Sequence, residues 1–321
     1  MKVAFVVVAA LLSVVVVTIV LFRSTRIDLP PPPSQAVLPD DLDAHLAESE
    51  ARFDDLVPGT EKRIVWADPE TKARTHFAVV ALHGFSGSRQ ETAPLAERVA
   101  EQLNANLFET RLRGHGRSGE AMAEASVRDW LADTREAVSI GRRLGDRIVL
   151  MGVSTGGSLA LWAATRPEFA PALETLVLIS PNLGPRDPKA NLFLWPGGTT
   201  LARWIAGPQR AWEPQNEGHA RYWTERYPIE AVRPMMQLVA GVRRLPMESI
   251  EASTILFHSE RDDVIRVDAV IEAFDRIGAG HKARRVVDPG DADGHVLAGD
   301  VLSPATTDTV VRDVVRFVVM E

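Results

Sequence analysis

The 321-residue sequence contains no cysteine. A chain without cysteine forms no disulfide, has no thiolate nucleophile and offers no thiolate ligand to a metal. The absence leaves the redox compartment open, because such a chain tolerates either environment. Dense runs of lysine and arginine are also missing, and the formal net charge is −7. Binding to a nucleic-acid backbone is therefore disfavoured.

Motifs for metals and common cofactors are lacking as well. Histidine, aspartate and glutamate residues show no metal-ligand spacing. Gly84 and Gly87 do not belong to a phosphate-binding loop, because the lysine and the remaining glycines of that motif are absent. We therefore expect no metal and no cofactor.

One long hydrophobic run lies at the N-terminus. Residues 3–22 carry no charge, and a helix of twenty residues spans about 30 Å, the thickness of one hydrocarbon core. The apolar region of a cleaved signal peptide is shorter, and no small-x-small cleavage site precedes Arg23. Residues 1–23 are therefore predicted to be a transmembrane anchor that makes the membrane a partner. The flanking charges leave the side of the membrane open.

Two further segments follow this run. Residues 24–60 are predicted to be a proline-rich linker, extended around the prolines at 30–33, and an amphipathic lead-in helix at 40–56. Residues 61–321 are predicted to form the folded domain. Its oligomeric state is left open.

Strand and helix patterns alternate within that domain. Short apolar runs predict strands and 3.6-residue periodicity predicts helices. Such alternation is typical of an α/β fold with a mostly parallel sheet flanked by helices, and ligands bind such sheets beyond the carboxyl ends of the strands. The predicted strands are 63–66, 77–82, 106–111, 148–151, 175–179, 254–258 and 285–287, and the predicted helices are 93–103, 127–144, 155–164, 268–277 and 305–320.

A sharp turn joins the predicted strand 148–151 to the helix 155–164. The sequence Gly152-Val153-Ser154-Thr155-Gly156 places one serine at the apex between glycines. Such a turn lifts a hydroxyl above the sheet and directs the N-terminus of the next helix toward it. Ser154 is therefore a candidate nucleophile.

A serine hydroxyl needs a base to take its proton, and the base needs a third group to orient it. His295 follows the last predicted strand at the reactive edge and is the best-placed base. The other histidines after Ser154 are less favourable: His219 lies in an irregular insertion, His258 ends a strand, and His281 lies at the opposite edge.

The sequence offers several candidates for the acid. Glu260, Asp262 and Asp263 all follow the strand 254–258 at the correct edge, and Asp187 is a weaker alternative after the preceding strand. Spacing alone does not choose among them.

Five motifs in order carry a family resemblance. The sequence resembles an α/β-hydrolase, and more narrowly the monoacylglycerol lipase, carboxylesterase and serine aminopeptidase-like branch, from about residue 63 to the C-terminus. The resemblance implies that Ser154 is the nucleophile, His295 the base and Asp262 the acid, although Ser259 stands where the family pattern has glycine. The motifs are His83-Gly84-Phe85, Arg113-Gly114-His115-Gly116-Arg117-Ser118, Gly152 to Gly156, Arg261-Asp262-Asp263-Val264-Ile265 and Gly294-His295.

An oxyanion hole needs two backbone N–H groups directed at the developing charge. The N–H of Thr155, next to the nucleophile, and the N–H of Phe85, in the loop after an earlier strand, are the predicted donors. His83 and His115 are interpreted as residues that make structural hydrogen bonds within their loops.

The regular alternation stops at about residues 182–248. An insertion here lies over the carboxyl edge of the sheet and is predicted to form a cap, which in the resembled family is the lid that selects substrate. Its aromatic residues either line an apolar acyl site or pack the insertion itself. They are Trp195, Trp204, Trp212, Tyr222, Trp223 and Tyr227.

Together these features predict a membrane-anchored serine hydrolase that cleaves small acyl esters through an acyl-enzyme on Ser154. Lipid-like or medium-chain esters, such as monoacylglycerol, are the favoured substrates. One alternative is an aminopeptidase or amidase, with Glu213, Glu217 or Glu225 of the cap holding an amine. Another is a catalytically silent binding protein with the same fold.

Overall fold

A seven-stranded sheet forms the centre of the molecule in the computed structural model, which describes residues 27–31 and 37–320. The strand order is β1-β3-β2-β4-β5-β8-β9. Only β1 at one edge is antiparallel to its neighbour, and all other pairs are parallel. The sheet strands are β1 (Arg63–Val65), β2 (Thr75–Leu82), β3 (Asn106–Glu109), β4 (Gly145–Val153), β5 (Leu173–Ile179), β8 (Ser253–His258) and β9 (Lys282–Val286).

Helices cover both faces of this sheet, so the predicted mostly parallel sheet flanked by helices is confirmed. The helices are α1 (Leu42–Glu50), α2 (Leu95–Gln102), α3 (Val127–Leu144), α4 (Thr155–Ala164), α5 (Gly198–Ala206), α6 (Glu217–Tyr222), α7 (Val232–Val242), α8 (Val267–Arg276) and α9 (Pro304–Val319). Short 3-10 helices span Arg89–Glu91, Glu120–Glu124, Ala170–Ala172, Pro188–Leu194, Ile229–Ala231 and Met247–Ser249.

The sheet separates two apolar cores. Alternate residues of β2 point to opposite sides, so Ala78 and Val80 join one core and Val79 joins the other. Helices α3, α4, α7 and α8 contribute to the first core, and α2 and α9 to the second. The inner strands are apolar on both faces because both faces are covered.

The insertion between β5 and β8 carries the elements of the predicted cap. It contains α5, α6 and α7 and an antiparallel hairpin of β6 (Gln209–Ala211) and β7 (Arg226–Pro228). Helix α7 packs against α4, the helix that follows the nucleophile turn. The insertion is thereby seated beside the carboxyl edge of the sheet.

The predicted membrane location requires a correction. Within residues 27–31 and 37–320, no helix is both long enough and apolar enough to cross a membrane. The longest of these helices, α3, has 18 residues with charged side chains along one face, and the apolar α4 has only 10. A span requires about 20 consecutive apolar residues. The predicted anchor, residues 1–23, lies outside the described residues.

Of the predicted lead-in helix, 40–56, residues 42–50 form α1, which packs against the sheet domain, and residues 51–56 are not helical. Asp41 caps the N-terminus of α1 by accepting a hydrogen bond from the N–H of Ala44. Glu50 at its end forms a buried, two-point ion pair with Arg111, with nitrogen-to-oxygen distances of 2.7 and 2.8 Å. Arg111 follows β3, so this pair joins α1 to the centre of the fold.

Candidate active site

The turn at Ser154 has an uncommon backbone conformation. Strand β4 ends at Val153 and helix α4 begins at Thr155, and Ser154 between them has φ 50° and ψ −115°. A non-glycine residue in this region costs of order 1–3 kcal/mol, which the surrounding packing must offset. This strained conformation places the hydroxyl at the carboxyl end of β4, a central strand of the sheet.

The helix can approach the sheet this closely because Gly156 has no side chain. A Cβ atom at Gly156 would lie 2.1 Å from the carbonyl oxygen of Leu82, at the end of β2. The first turn of α4 therefore packs directly on the backbone that leads into the His83-Gly84-Phe85 loop.

Three predicted site residues are joined by hydrogen bonds. The Ser154 hydroxyl lies 2.9 Å from Nε2 of His295. Nδ1 of the same ring lies 2.7 Å from Oδ2 of Asp262. Both distances lie within the ordinary hydrogen-bond range. All three side chains are buried, and they come from the loops after β4, β9 and β8.

The structure distinguishes Asp262 from its neighbours. The other oxygen of Asp262, Oδ1, accepts hydrogen bonds from the N–H groups of Val264 and Ile265, at 2.9 and 3.0 Å. The carboxylate is thereby fixed toward His295. Asp263 points to solvent and pairs with Arg186. The remaining acid candidates, Glu260 and Asp187, are exposed.

The environment of His295 favours a proton on its ring. Burial alone would lower the pKa of His295, but the hydrogen bond and charge of Asp262 raise it, with the charges of Glu91 and Asp291 adding to the effect. The resulting pKa lies above its ordinary value. A ring that holds a proton more readily is a better acceptor for the proton of Ser154.

The two predicted oxyanion donors lie on either side of the nucleophile. Thr155 follows it in the chain, and its N–H is at the start of α4. Phe85 follows Gly84, where a Cβ atom would lie 3.1 Å from Cβ of Ser154. Their roles as donors stay predictions.

His83 and His115 make structural hydrogen bonds, but His83 also joins its own loop to the loop after β3, whereas His115 contacts the carbonyl of Arg113 in its own loop. Nε2 of His83 accepts the N–H of Leu112 at 3.0 Å, so Nδ1 carries the proton and donates to the Gly84 carbonyl at 2.8 Å. Burial lowers the pKa of His83 to about 4 and that of His115 to about 3. Both rings are therefore neutral at pH 7.

The other histidines after Ser154 lie outside this hydrogen-bonded chain. His219 packs between Trp212 and Trp223, with ring centroids 4.4 and 4.8 Å away. His258 is buried at the end of β8. His281 stacks on Phe317 of α9.

Two buried carboxylates next to the site were missed from the sequence. Glu91 accepts a hydrogen bond from Gly84 N–H at 2.6 Å, and burial raises its pKa to about 7. Asp291 accepts the backbone N–H of His295 at 2.8 Å. In the sequence, neither acid differs from the polar loop residues around it. The position of Asp291, four residues before the candidate base, was the one available signal.

The cap contacts the site through only some of its aromatic residues. Trp223 is buried with Val296, next to His295, and Tyr227 meets Phe85 edge-to-face at 5.5 Å. Trp204 is 87% exposed and faces solvent. The cap carboxylates considered for binding an amine, Glu213, Glu217 and Glu225, are all exposed.

Across the part of the chain that the structure describes, no group of histidine and carboxylate residues is arranged to hold a metal ion.

A family model described as serine aminopeptidase, S33, matches residues 73–290. This range covers more than half of the chain and includes Ser154 and Asp262. The chain belongs to the serine aminopeptidase S33 family. His295 lies just beyond the matched range, so its place in the site of this S33 hydrolase rests on the geometry above.

Relatives of this S33 hydrolase include lipases. A thermostable monoacylglycerol lipase of Bacillus sp. (strain H-257) is 26% identical over 199 residues, which cover 62% of this chain and 76% of the lipase. A solved structure from work on LipS and LipT, two metagenome-derived lipolytic enzymes, superimposes with a TM-score of 0.69 at 21% identity, covering 83% of this chain and 100% of the other.

A soluble variant of monoglyceride lipase from Saccharomyces cerevisiae superimposes with a TM-score of 0.57 at 14% identity, covering 90% of this chain and 98% of the other. At such identities the likeness to the solved structures shows the fold alone. The S33 family member therefore has the α/β-hydrolase fold, and it is a hydrolase related to lipases and esterases.

Proposed function

We propose that this protein is a serine hydrolase that cleaves carboxylic esters through an acyl-enzyme on Ser154. The observation that carries the proposal is the hydrogen-bonded chain Ser154–His295–Asp262, at 2.9 and 2.7 Å. A hydroxyl, an imidazole and a carboxylate in this order supply a nucleophile, a general base and a group that orients the base.

The first half of the reaction forms the acyl-enzyme. Nε2 of His295 takes the hydroxyl proton while Ser154 Oγ bonds to the ester carbonyl carbon, and the carbonyl oxygen becomes negative. The N–H groups of Phe85 and Thr155 stabilise that oxygen. When the intermediate collapses, the bond to the alcohol oxygen breaks, and His295 donates its proton to the departing alcohol.

Water completes the second half. His295 takes a proton from water as the water oxygen attacks the acyl carbon. The bond between Ser154 Oγ and the acyl carbon then breaks, and His295 returns the proton to Oγ. Asp262 accepts the Nδ1–H of His295 throughout, which orients the ring and stabilises the imidazolium that forms in each half.

Lipid-like acyl esters are the proposed substrate class, with monoacylglycerol as a representative. Phe85 follows Gly84, which lies against Ser154, and its ring meets Tyr227 of the cap, while Trp223 packs with Val296 next to His295. Apolar walls with a few directed polar groups are typical of sites that bind acyl chains. The related protein described as a thermostable monoacylglycerol lipase supports the same class.

Cleavage of an aminoacyl amide is the second candidate, because the matched family is described as a serine aminopeptidase. Such an enzyme needs a carboxylate to hold the free amine of its substrate. The three cap carboxylates considered for that role are exposed, so the ester reaction is preferred.

The test combines covalent labelling with a comparison of substrates. A fluorophosphonate probe should label the wild type and leave Ser154→Ala unlabelled, while Thr155→Ala, which keeps its amide, should still be labelled. p-Nitrophenyl esters of increasing chain length are then compared with aminoacyl p-nitroanilides. Failure of the wild type to react with the probe and with all these substrates would favour the silent binding protein. Preferential cleavage of the anilides would favour the aminopeptidase.

A further inference from the structure

Asp291 organises the loop that carries His295. Its side chain is buried, and its Oδ2 accepts the N–H groups of both His295 and Val296, at 2.8 and 2.9 Å. Its own N–H donates to the hydroxyl of Ser303 at 3.1 Å. Because this carboxylate binds the backbone N–H of the proposed base, it fixes the position of the main chain from which the imidazole ring extends.

The second oxygen of Asp291 binds the cap. Nε2 of Gln215 donates to Oδ1 of Asp291 at 2.8 Å, and Oε1 of Gln215 accepts the N–H of Ala292 at 3.3 Å. Both polar ends of one amide side chain are thus used on one short loop. Such a two-point contact fixes orientation as well as distance.

The segment that follows Gln215 also reaches the opposite side of the site. The backbone N–H of Thr224, two residues after α6, donates to the carbonyl oxygen of Ser86 at 2.7 Å. Ser86 follows Phe85, the predicted oxyanion donor. Residues 215–224, which we name the bridging segment, therefore contact both loops that flank Ser154.

We propose that Gln215 and Asp291 are positioning residues through which the seating of the cap fixes the orientation of His295. The inference rests on the proposed function, because the positioned group is the proposed base. Neither residue contacts the reacting atoms. Gln215 acts on Asp291, and Asp291 acts on the backbone of His295.

The effect of breaking this chain of contacts is a loss of orientation. Without the amide of Gln215, which is itself exposed, Oδ1 of the buried Asp291 keeps only the longer contact from the N–H of Asp293, at 3.4 Å. The loop can then relax, and a small displacement of a proton-transferring group reduces the rate of chemistry more than the affinity for substrate.

The experiment compares Gln215→Ala and Asp291→Asn with Arg203→Ala in the full chain. Arg203 is the matched control, because it joins two parts of the same cap by an exposed ion pair with Glu230 at 2.7 Å. We expect kcat for a p-nitrophenyl ester to fall at least tenfold in Gln215→Ala and in Asp291→Asn, with KM changed less than threefold. Arg203→Ala should keep the wild-type values of both.

NMR titration of the histidine rings gives a readout that does not depend on turnover, with His295 assigned by comparison with His295→Gln. The charged groups that act on this ring are Asp262, Glu91 and Asp291. Asp291→Asn removes one negative charge, so the pKa of His295 should fall. In Gln215→Ala the His295 ring resonances should move while those of His83 stay in place.

The outcomes separate the two proposals. Unchanged His295 resonances in both variants would overturn the positioning role, as would an equal loss of kcat in Arg203→Ala. A wild type that cleaves no ester would count against the proposed function, and the ring titration would then decide the positioning role alone.

Discussion

The carboxyl group of Glu91 accepts a hydrogen bond from the N–H of Gly84 at 2.6 Å. Gly84 immediately precedes Phe85, so a buried acid seven residues along the chain fixes the loop on which one predicted oxyanion donor lies. A Cβ atom at Gly84 would lie 2.8 Å from Oε1 of the same carboxyl, so the carboxyl would have to shift to admit a side chain there. Burial raises the pKa of Glu91 to about 7.

Glu91 is predicted to make the fold less stable at high pH. Its pKa is about 7 in the folded state, against an ordinary value of 4.5, so the folded protein holds a proton that the unfolded chain releases between these pH values. Its contribution to stability is therefore lost as pH rises from about 4.5 to 7, by roughly 3 kcal/mol in total. Glu91→Gln keeps an acceptor for Gly84 but does not titrate.

Urea unfolding at pH 5 and pH 8 measures this contribution. The stability of Glu91→Gln relative to wild type should rise by roughly 2–3 kcal/mol between the two pH values. Glu101→Gln, an exposed substitution on α2, should show no such change. Equal pH dependence in wild type and Glu91→Gln would contradict the buried, protonated state.

The neighbouring acids Asp262 and Asp263 should differ sharply in their effect on activity. Asp262→Asn replaces the acceptor of the His295 Nδ1 proton and favours the wrong tautomer, so kcat should fall roughly 10³-fold or more. Asp263→Asn removes only an exposed ion pair with Arg186, which should change kcat less than about twofold. The two kcat values on one ester are the measurement, and a large loss in Asp263→Asn alone would reverse the assignment.

The backbone at Ser154 predicts an unusual order of stability for two inactive variants. Alanine keeps the strain of φ 50°, whereas glycine adopts such angles freely. Ser154→Gly should therefore be more stable than Ser154→Ala by about 1 kcal/mol in urea unfolding. An alanine variant more stable than the glycine variant would show that the turn holds no strain.

Gly156→Ala should disrupt the same turn. The added methyl group would meet the backbone carbonyl of Leu82, which cannot move without disturbing β2, so the free energy of unfolding should fall by about 3 kcal/mol. Gly280→Ala is the control, because a Cβ atom there meets nothing within 4 Å, and its stability should change by less than about 1 kcal/mol. Thermal unfolding of both variants makes the comparison.

Much of the sheet and its helices could be predicted because local signals agree with the fold. Helix α3 has the predicted bounds, and its start carries a capping box between Ser126 and Asp129. Helix α4 also has the predicted bounds, since the nucleophile turn fixes where it begins. The inner strands are continuous apolar runs, which can be predicted from the local sequence without knowing which strands they pair with.

The inside of the cap could not be predicted in the same way. Strand β6 has three residues, all exposed, and therefore shows no hydrophobic alternation. Its position depends on pairing with β7, a contact between residues about 17 positions apart.

Only part of the candidate site could be predicted from the sequence. Ser154 and His295 stand out because each follows a strand at the same edge of a parallel sheet. Asp262 and Asp263 have the same side chain and the same local sequence, so only the tertiary fold decides which of them meets His295. Glu91 and Asp291 resemble surface acids in the sequence, because burial of a loop carboxylate leaves no periodic pattern.

The ion pair between Glu50 and Arg111 bears on where a shortened chain can begin. A chain that starts at residue 61 would lack Glu50 and leave the guanidinium of Arg111 buried with no carboxylate opposite it, at a cost of about 3–5 kcal/mol. A chain that starts at residue 39 would keep both partners and the Asp41 cap. We therefore expect the smallest autonomously folding unit to include α1, a helix that lies far from Ser154 in the sequence and contributes no group to its chemistry.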